Sequence, residues 1–146
     1  MSGPAWAKPV PADGESVVAE FAPDRATYLR DHAWLAAAAM ALGMAVLWAI
    51  GNPHLWTGAI GGLAAVAVRA GYLASDEMAV RWILTERRLL GPGGRKMRLD
   101  EIARIRGLGS AVQVITAAGD KHLLKYQPDK EATIARIEAA MNGGAR

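Results

Sequence analysis

The sequence predicts an α+β membrane protein: a two-helix transmembrane hairpin, then a small domain of short strands closed by a C-terminal helix. Three observations predict it. Eighteen residues run without a charge, a second apolar run follows a tight turn, and the second half of the chain alternates with period two. Composition agrees. The 146 residues are 52% hydrophobic and 21% charged, with 17 Lys and Arg against 14 Asp and Glu, a net charge of +3. Residues 1–75 hold four basic and five acidic side chains and residues 76–146 hold thirteen and nine, so an apolar half precedes a basic one. Cysteine is absent, which excludes disulfides, thiolate nucleophiles and Cys-ligated metals.

Residues 33–50, AWLAAAAMALGMAVLWAI, are the uncharged run. As a helix it spans about 27 Å, close to the roughly 30 Å hydrocarbon core of a bilayer. Gly51-Asn52-Pro53-His54 is a turn signal, because Gly and Asn tolerate left-handed geometry and Pro53 cannot continue a helix. Leu55 to Val68 is the second run, resuming after Arg69 through Leu73, and Arg69 can snorkel to the headgroups. Trp34, Trp48, Trp56 and Tyr72 fall at the four helix ends, the level that amphipathic rings favour. Basic residues flank the outer ends (Arg25, Arg30, Arg69, Arg81, Arg87, Arg88) and are missing from the turn, which places both termini in the cytoplasm.

Two other readings are weaker. The remaining chain is too small to wrap a buried helix pair, and a signal peptide would carry a charged region over thirty residues long with acids matching its bases. Gly58-x-x-x-Gly62 lies in the second helix, where small residues allow close approach, and packing within the hairpin is its expected use.

The hairpin divides the chain into residues 1–32, a cytoplasmic tail and lead-in, residues 33–75, and a cytoplasmic domain over 76–146. Residues 1–16, rich in Pro and Gly, read as a mobile tail. Ser16 to Ala22 is a candidate strand, and Pro23-Asp24 precedes a helix start. In the domain, Val80, Trp82 and Leu84 alternate with Arg81, Ile83 and Thr85, as in a strand buried chiefly on one face. Gly91-Pro92-Gly93-Gly94 is a tight turn. Extended segments follow over Lys96–Leu99, over Ile102, Ile105 and Leu108, over Val112, Val114 and Thr116, and over residues 121–126. Pro128-Asp129-Lys130-Glu131 opens a helix whose Ile134, Ile137 and Met141 form one apolar stripe, with Gly143-Gly144 at its end. A meander of five or six strands closed by this helix is the expected domain.

The run Leu84-Thr85-Glu86-Arg87-Arg88-Leu89, the Gly turn, Arg98-Leu99-Asp100-Glu101-Ile102 and Val112-Gln113-Val114-Ile115-Thr116 with Gly119 resembles the bacterial pleckstrin-homology-like (PH-like) domains. Those read as an L-T-x-x-R strand, a Gly turn, I-x-L-x-x-I and V-x-I-x-T-x-x-G before a terminal helix, and the domain frequently follows two membrane helices. The resemblance covers about residues 75–141. It departs in the stretch between Ile105 and Val112, which is shorter than the family's usual one. It implies a small β-barrel or roll at a bacterial inner membrane, and some membrane-anchored relatives are associated with assembly of photosynthetic complexes.

Between Arg81 and Arg106 lie eight basic residues and three acids. Arg87, Arg88, Arg95, Lys96 and Arg98 flank the Gly turn, where the resembled fold would place a headgroup- or partner-binding loop. Anionic lipids attract such a segment by about 1 kcal/mol per nearby cation, although a solvated basic face serving as a topology signal is the commoner meaning of such charge. Nucleic acid is not an expected partner, because the cluster's one aromatic, Trp82, belongs to the strand alternation. No catalytic, phosphate-loop or metal-binding pattern stands out. Gly107-x-Gly109 lacks a third glycine, Ser110, Asp120 and His122 lack a nucleophile elbow, and His32, His54 and His122 fall in three different segments. The expectation is a non-enzymatic accessory or assembly protein without cofactor or metal, contacting membrane lipids and another membrane protein or complex. A lipid-surface sensor and a homo-oligomeric scaffold are the alternatives.

Overall fold

The computed structural model describes residues 8–144. The chain is α+β: two long apolar helices, two small antiparallel sheets and a C-terminal helix. It divides into two compact units. One is Tyr28–Ser75; the other joins the segment ending at Thr27 to the segment beginning at Asp76.

The hairpin consists of α1 (Arg25–Ala49) and α2 (Leu55–Ala79). Asp24 caps α1, its carboxylate accepting the Thr27 N–H at 2.9 Å and the Thr27 hydroxyl at 2.8 Å. At the other end Gly51 adopts φ +76°, the Gly51 N–H reaches the Trp48 carbonyl and the Asn52 N–H reaches that of Leu47. This Schellman arrangement needs the left-handed residue that glycine supplies most cheaply. The Asn52 side chain then accepts the His54 N–H at 2.8 Å, and His54 O accepts the Thr57 hydroxyl at 2.7 Å as α2 begins.

The second unit holds a four-stranded sheet, β1 (Val17–Phe21), β2 (Trp82–Thr85), β3 (Arg88–Leu90) and β4 (Lys96–Arg98), in that spatial order. Its three-stranded sheet is β5 (Ile102–Leu108), β6 (Ala111–Thr116) and β7 (Lys121–Leu124). Helix α3 (Lys130–Gly144) is capped by Asp129, whose carboxylate accepts the Ala132 N–H. Side chains from both sheets and α3 share one core that includes Phe21, Trp82, Leu84, Leu89, Met97, Val112, Val114, Leu124 and Ile137. Ile134 and Met141 pack against it, so the predicted helix stripe is the face that is buried.

Three differences from the sequence reading follow from particular residues. First, the strand expected at Ser16 to Ala22 is present as β1, but it belongs to the domain's sheet and not to a tail and lead-in. It pairs with β2, Phe21 opposite Trp82 and Glu20 opposite Ile83, although the hairpin separates them in sequence. Residues 1–7 of the expected tail lie outside the described residues. Second, the strands do not close into a barrel among the described residues. β4 is three residues long, and Leu99–Glu101 leaves it as one 3-10 turn, so β4 and β5 belong to different sheets. Third, β2 is buried along its whole length, not on one face. It is the strand between β1 and β3, and Ile83 shares its sheltered position with its cross-strand partner Leu90.

Candidate functional site

The structure divides the five basic residues expected at one site: Arg87, Arg88 and Arg98 line one cavity, Arg95 lines another, and Lys96 lines neither. Arg88 and Arg98 stand directly opposite each other across the β3–β4 ladder, and each is met by an acid. The Arg88 guanidinium donates to both carboxylate oxygens of Glu15, from Nε at 3.0 Å and from Nη2. Glu15 keeps only 7% of its side chain exposed and Arg88 25%. The hydrogen bond from Arg88 is the main reason the Glu15 carboxyl falls from 4.5 to about 2; burial opposes the shift, while the Ala12 N–H, the Thr85 hydroxyl and the Arg88 charge add to it. The same pair raises the Arg88 pKa. Arg98 pairs with Asp100 in the open.

The fully buried Thr85 organises this corner. Its hydroxyl donates to Glu15 at 2.8 Å and accepts the Arg88 N–H at 2.9 Å and the Arg87 N–H at 3.2 Å. The Thr and Arg of the L-T-x-x-R pattern therefore build the β2–β3 turn and fasten the preceding segment to it. Arg87, Arg88 and Arg98 line a cavity of about 920 Å³ together with the acids Asp13, Glu15, Glu86 and Asp100. That mixture is a poor receptor for a lone anion. Arg87, Arg95 and Lys96 are exposed, with no side-chain partner among the described residues.

A second cavity, about 650 Å³, opens beside Trp82. Phe21, Val80, Trp82, Pro92 and Leu123 supply apolar wall, while Asp76, Glu77, Arg95 and Lys125 bring charge of both signs. Lys125 is paired with Glu77 at 3.5 Å. The Gly turn shapes this wall. Gly91 lies so near the indole that a Cβ there would come 2.5 Å from the ring, and Gly93 turns the chain at φ +68°. Trp82 is 2% exposed, and its Nε1 is the buried side-chain polar atom left without a hydrogen-bond partner among the described residues. The His122 ring sits edge-on to it, centroids 6.1 Å apart. Burial lowers the His122 pKa, Arg95 pushes the same way and Asp120 opposes. The sequence places Trp82 in the core, yet nothing in it reveals the orphaned indole or the cavity, which the two sheets and the Gly turn create together. Glu15 was equally hidden, as one acid in a Pro- and Gly-rich stretch.

In the hairpin unit Trp34, Trp48, Trp56 and Tyr72 are exposed, from 61% for Trp56 to 78% for Tyr72. Gly58 and Gly62 lie at the helix contact. A Cβ on Gly58 would meet the Gly43 carbonyl at 2.5 Å, and one on Gly62 would meet the Ala39 carbonyl oxygen at 2.5 Å. The Tyr28 hydroxyl donates to the Ala70 carbonyl at 2.7 Å, a second tie across the pair. Both helices are long and apolar enough to cross a membrane, and only 11% and 6% of their most apolar windows are buried.

Among the described residues no three His, Asp or Glu side chains gather as a metal site would require. No protein-family model matches the chain, and no characterised protein and no solved structure matches it.

Proposed function

We propose that this chain is a non-enzymatic accessory or assembly protein of a bacterial inner membrane, anchored by α1 and α2, whose PH-like cytoplasmic domain binds a protein partner. The observation that carries the reading is the β1–β2 pairing on either side of the hairpin. A strand ahead of the first apolar helix is neighbour to a strand behind the second. If both helices cross a bilayer, the β unit folds only when both ends return to one side. The charge-free turn and the basic outer flanks support the cytoplasm as that side. The apolar surface that the hairpin leaves uncovered calls for lipid or other helices around it. Two sheets around one core with a C-terminal helix packed on it support the PH-like resemblance. Charge of both signs around each cavity suits a polypeptide better than an anionic headgroup.

The test is affinity isolation of the tagged chain from native membranes in mild detergent, read by mass spectrometry and native electrophoresis. A stoichiometric membrane partner, lost when residues 28–75 are replaced by an unrelated hairpin, is the expected result. Recovery of the chain alone, or only with copies of itself, overturns the reading. A second reading, sensing of anionic lipid, draws on Arg87, Arg95 and Lys96, which among the five expected site cations are the ones without side-chain partners in the described residues. It requires salt-sensitive liposome binding that Arg95→Glu with Lys96→Glu abolishes.

A further inference from the structure

We infer that the cavity beside Trp82 is the docking site for an extended segment of the protein partner, which adds as a strand to the open edge of β7 and places an apolar side chain in the cavity. This deepens the partner-binding reading above and rests on it.

Three observations converge. The first is the edge itself. β7 is terminal in its sheet and pairs only with β6 among the described residues. The Thr116 N–H bonds the Asp120 carbonyl, and the register then steps by two through Val114 with His122 to Val112 with Leu124. Antiparallel alternation therefore directs the N–H and C=O of Lys121 and Leu123 away from β6. The second is position: Leu123 both carries those outward groups and lines the cavity, with Lys125 and Gln127 following along the same wall. The third is Trp82, whose ring lines the cavity beside Phe21, Val80 and Pro92 and gives an incoming apolar side chain a surface to pack on.

The occupant follows from the same chemistry. A backbone edge offering alternating donors and acceptors is matched by another backbone, which a lipid chain cannot supply. A strand also sends alternate side chains to opposite faces, so one in two can enter an apolar cavity of this size. At the rim the Glu77–Lys125 pair leaves Asp76 and Arg95 without side-chain partners among the described residues. The incoming segment is thus expected to carry a base and an acid near its apolar anchor. A second copy of this chain fits less well. In the register centred on Leu123, antiparallel pairing of two β7 edges would set Lys121 against Lys125 just beyond the strand, and like charges across a seam repel.

The probe is a random-peptide library displayed on phage and panned against the full chain in lipid nanodiscs, each enriched peptide then being synthesised and titrated by fluorescence anisotropy. Peptides with alternating apolar positions are expected. Trp82→Phe shrinks the ring that walls the cavity, so it should weaken binding about three- to tenfold. A residue whose only role is in the core would lose stability on this change and leave affinity unchanged. Leu123→Pro deletes one outward N–H without touching the β6 ladder and should abolish binding; should that chain misfold, the Trp82→Phe result decides. Failure to enrich any peptide, or enrichment of peptides that bind both variants as tightly as the parent chain, overturns the inference. If a stoichiometric membrane partner is isolated but binds both variants unchanged, this cavity is not its site and the accessory reading still stands. If no partner is isolated, that reading fails independently of the peptide result.

Discussion

In the β unit the side chains of Leu84, Leu89, Val112, Val114, Leu124 and Ile137 are wholly enclosed, whereas in the hairpin Leu42, Val46, Ile60 and Val68 stay open along with three tryptophans. Both regions are built from apolar residues, but different parts of those residues hold them together. The β unit interdigitates large side chains from two sheets and a helix. The hairpin brings backbone against backbone where Gly43, Gly58, Ala39 and Gly62 meet, and turns its large side chains outward. The damaging direction of substitution should therefore reverse between them.

The largest effect is expected in the β unit on shrinking a side chain. Leu84→Ala or Leu124→Ala should cost about 2–5 kcal/mol, the range for emptying an enclosed leucine site, read by denaturant unfolding of the full chain in micelles. Leu42→Ala, at a residue 66% exposed in the hairpin, should leave the folded structure nearly unchanged. Equal losses at the two places would erase the comparison.

Enlarging a side chain should do the reverse. Gly58→Leu or Gly62→Leu forces a Cβ into the facing backbone, and overpacking of that kind costs about 1–3 kcal/mol or separates the helices outright. At Gly61, between them, a Cβ would find nothing within 4 Å, so Gly61→Leu is the matched control. Because the chain has no cysteine of its own, a pair of introduced cysteines, one per helix, can carry spin labels. The interlabel distance should lengthen for the first two variants and hold for the third.

The Glu15–Arg88 pair sharpens the comparison from the electrostatic side, since it belongs wholly to the β unit. A carboxyl held at about 2 in the fold, against an ordinary 4.5, stabilises the fold fully above pH 4.5. That stabilisation is lost as pH falls from 4.5 toward 2. Glu15→Gln should cost about 1.5 kcal/mol near neutrality, the low end for a hydrogen bond to a charged group, because Arg88 keeps a quarter of its side chain in water. The gap between the two proteins should close on acidification. A gap that stays constant from about pH 6 to about pH 2 would assign the loss to packing instead.

The elements legible in the sequence are those fixed by local chemistry. Gly51-Asn52-Pro53 announces the hairpin turn, Asp24 and Asp129 announce helix starts, and Ile134, Ile137 and Met141 announce the buried face of α3. Gly58 and Gly62 were readable as packing residues for the same reason. What escaped depends on pairs distant in the chain. Glu15 meets Arg88 across 73 positions, and Phe21 meets Trp82 across the hairpin. A charge cluster read along the chain says nothing of which cations already have partners, so Arg88 and Arg98 resembled Arg95 and Lys96 until the fold separated them. The split into two sheets was hidden for a related reason: whether β4 and β5 pair is decided at Leu99–Glu101, where three residues of extended-looking sequence turn as a 3-10 helix.

The smallest effect concerns His122, which bears on the cavity through its edge-on contact with Trp82. Its pKa lies below the ordinary 6.5, through burial first and the Arg95 charge second, with Asp120 opposing. The fold thus favours the neutral ring, and His122 contributes stability that is present above pH 6.5 and lost as pH falls through its folded pKa. The two charges make the cause separable. Arg95→Gln should raise the His122 pKa and Asp120→Asn should lower it further, both read from the imidazole proton resonances in an NMR titration. If neither substitution moves it, burial against Trp82 accounts for the whole shift, and the Arg95 guanidinium points away from the ring. If His122 titrates at or above 6.5 in the parent chain, the ring is not sheltered, and the wall between β7 and Trp82 is more open to water than the packing of the indole against Gly91 requires.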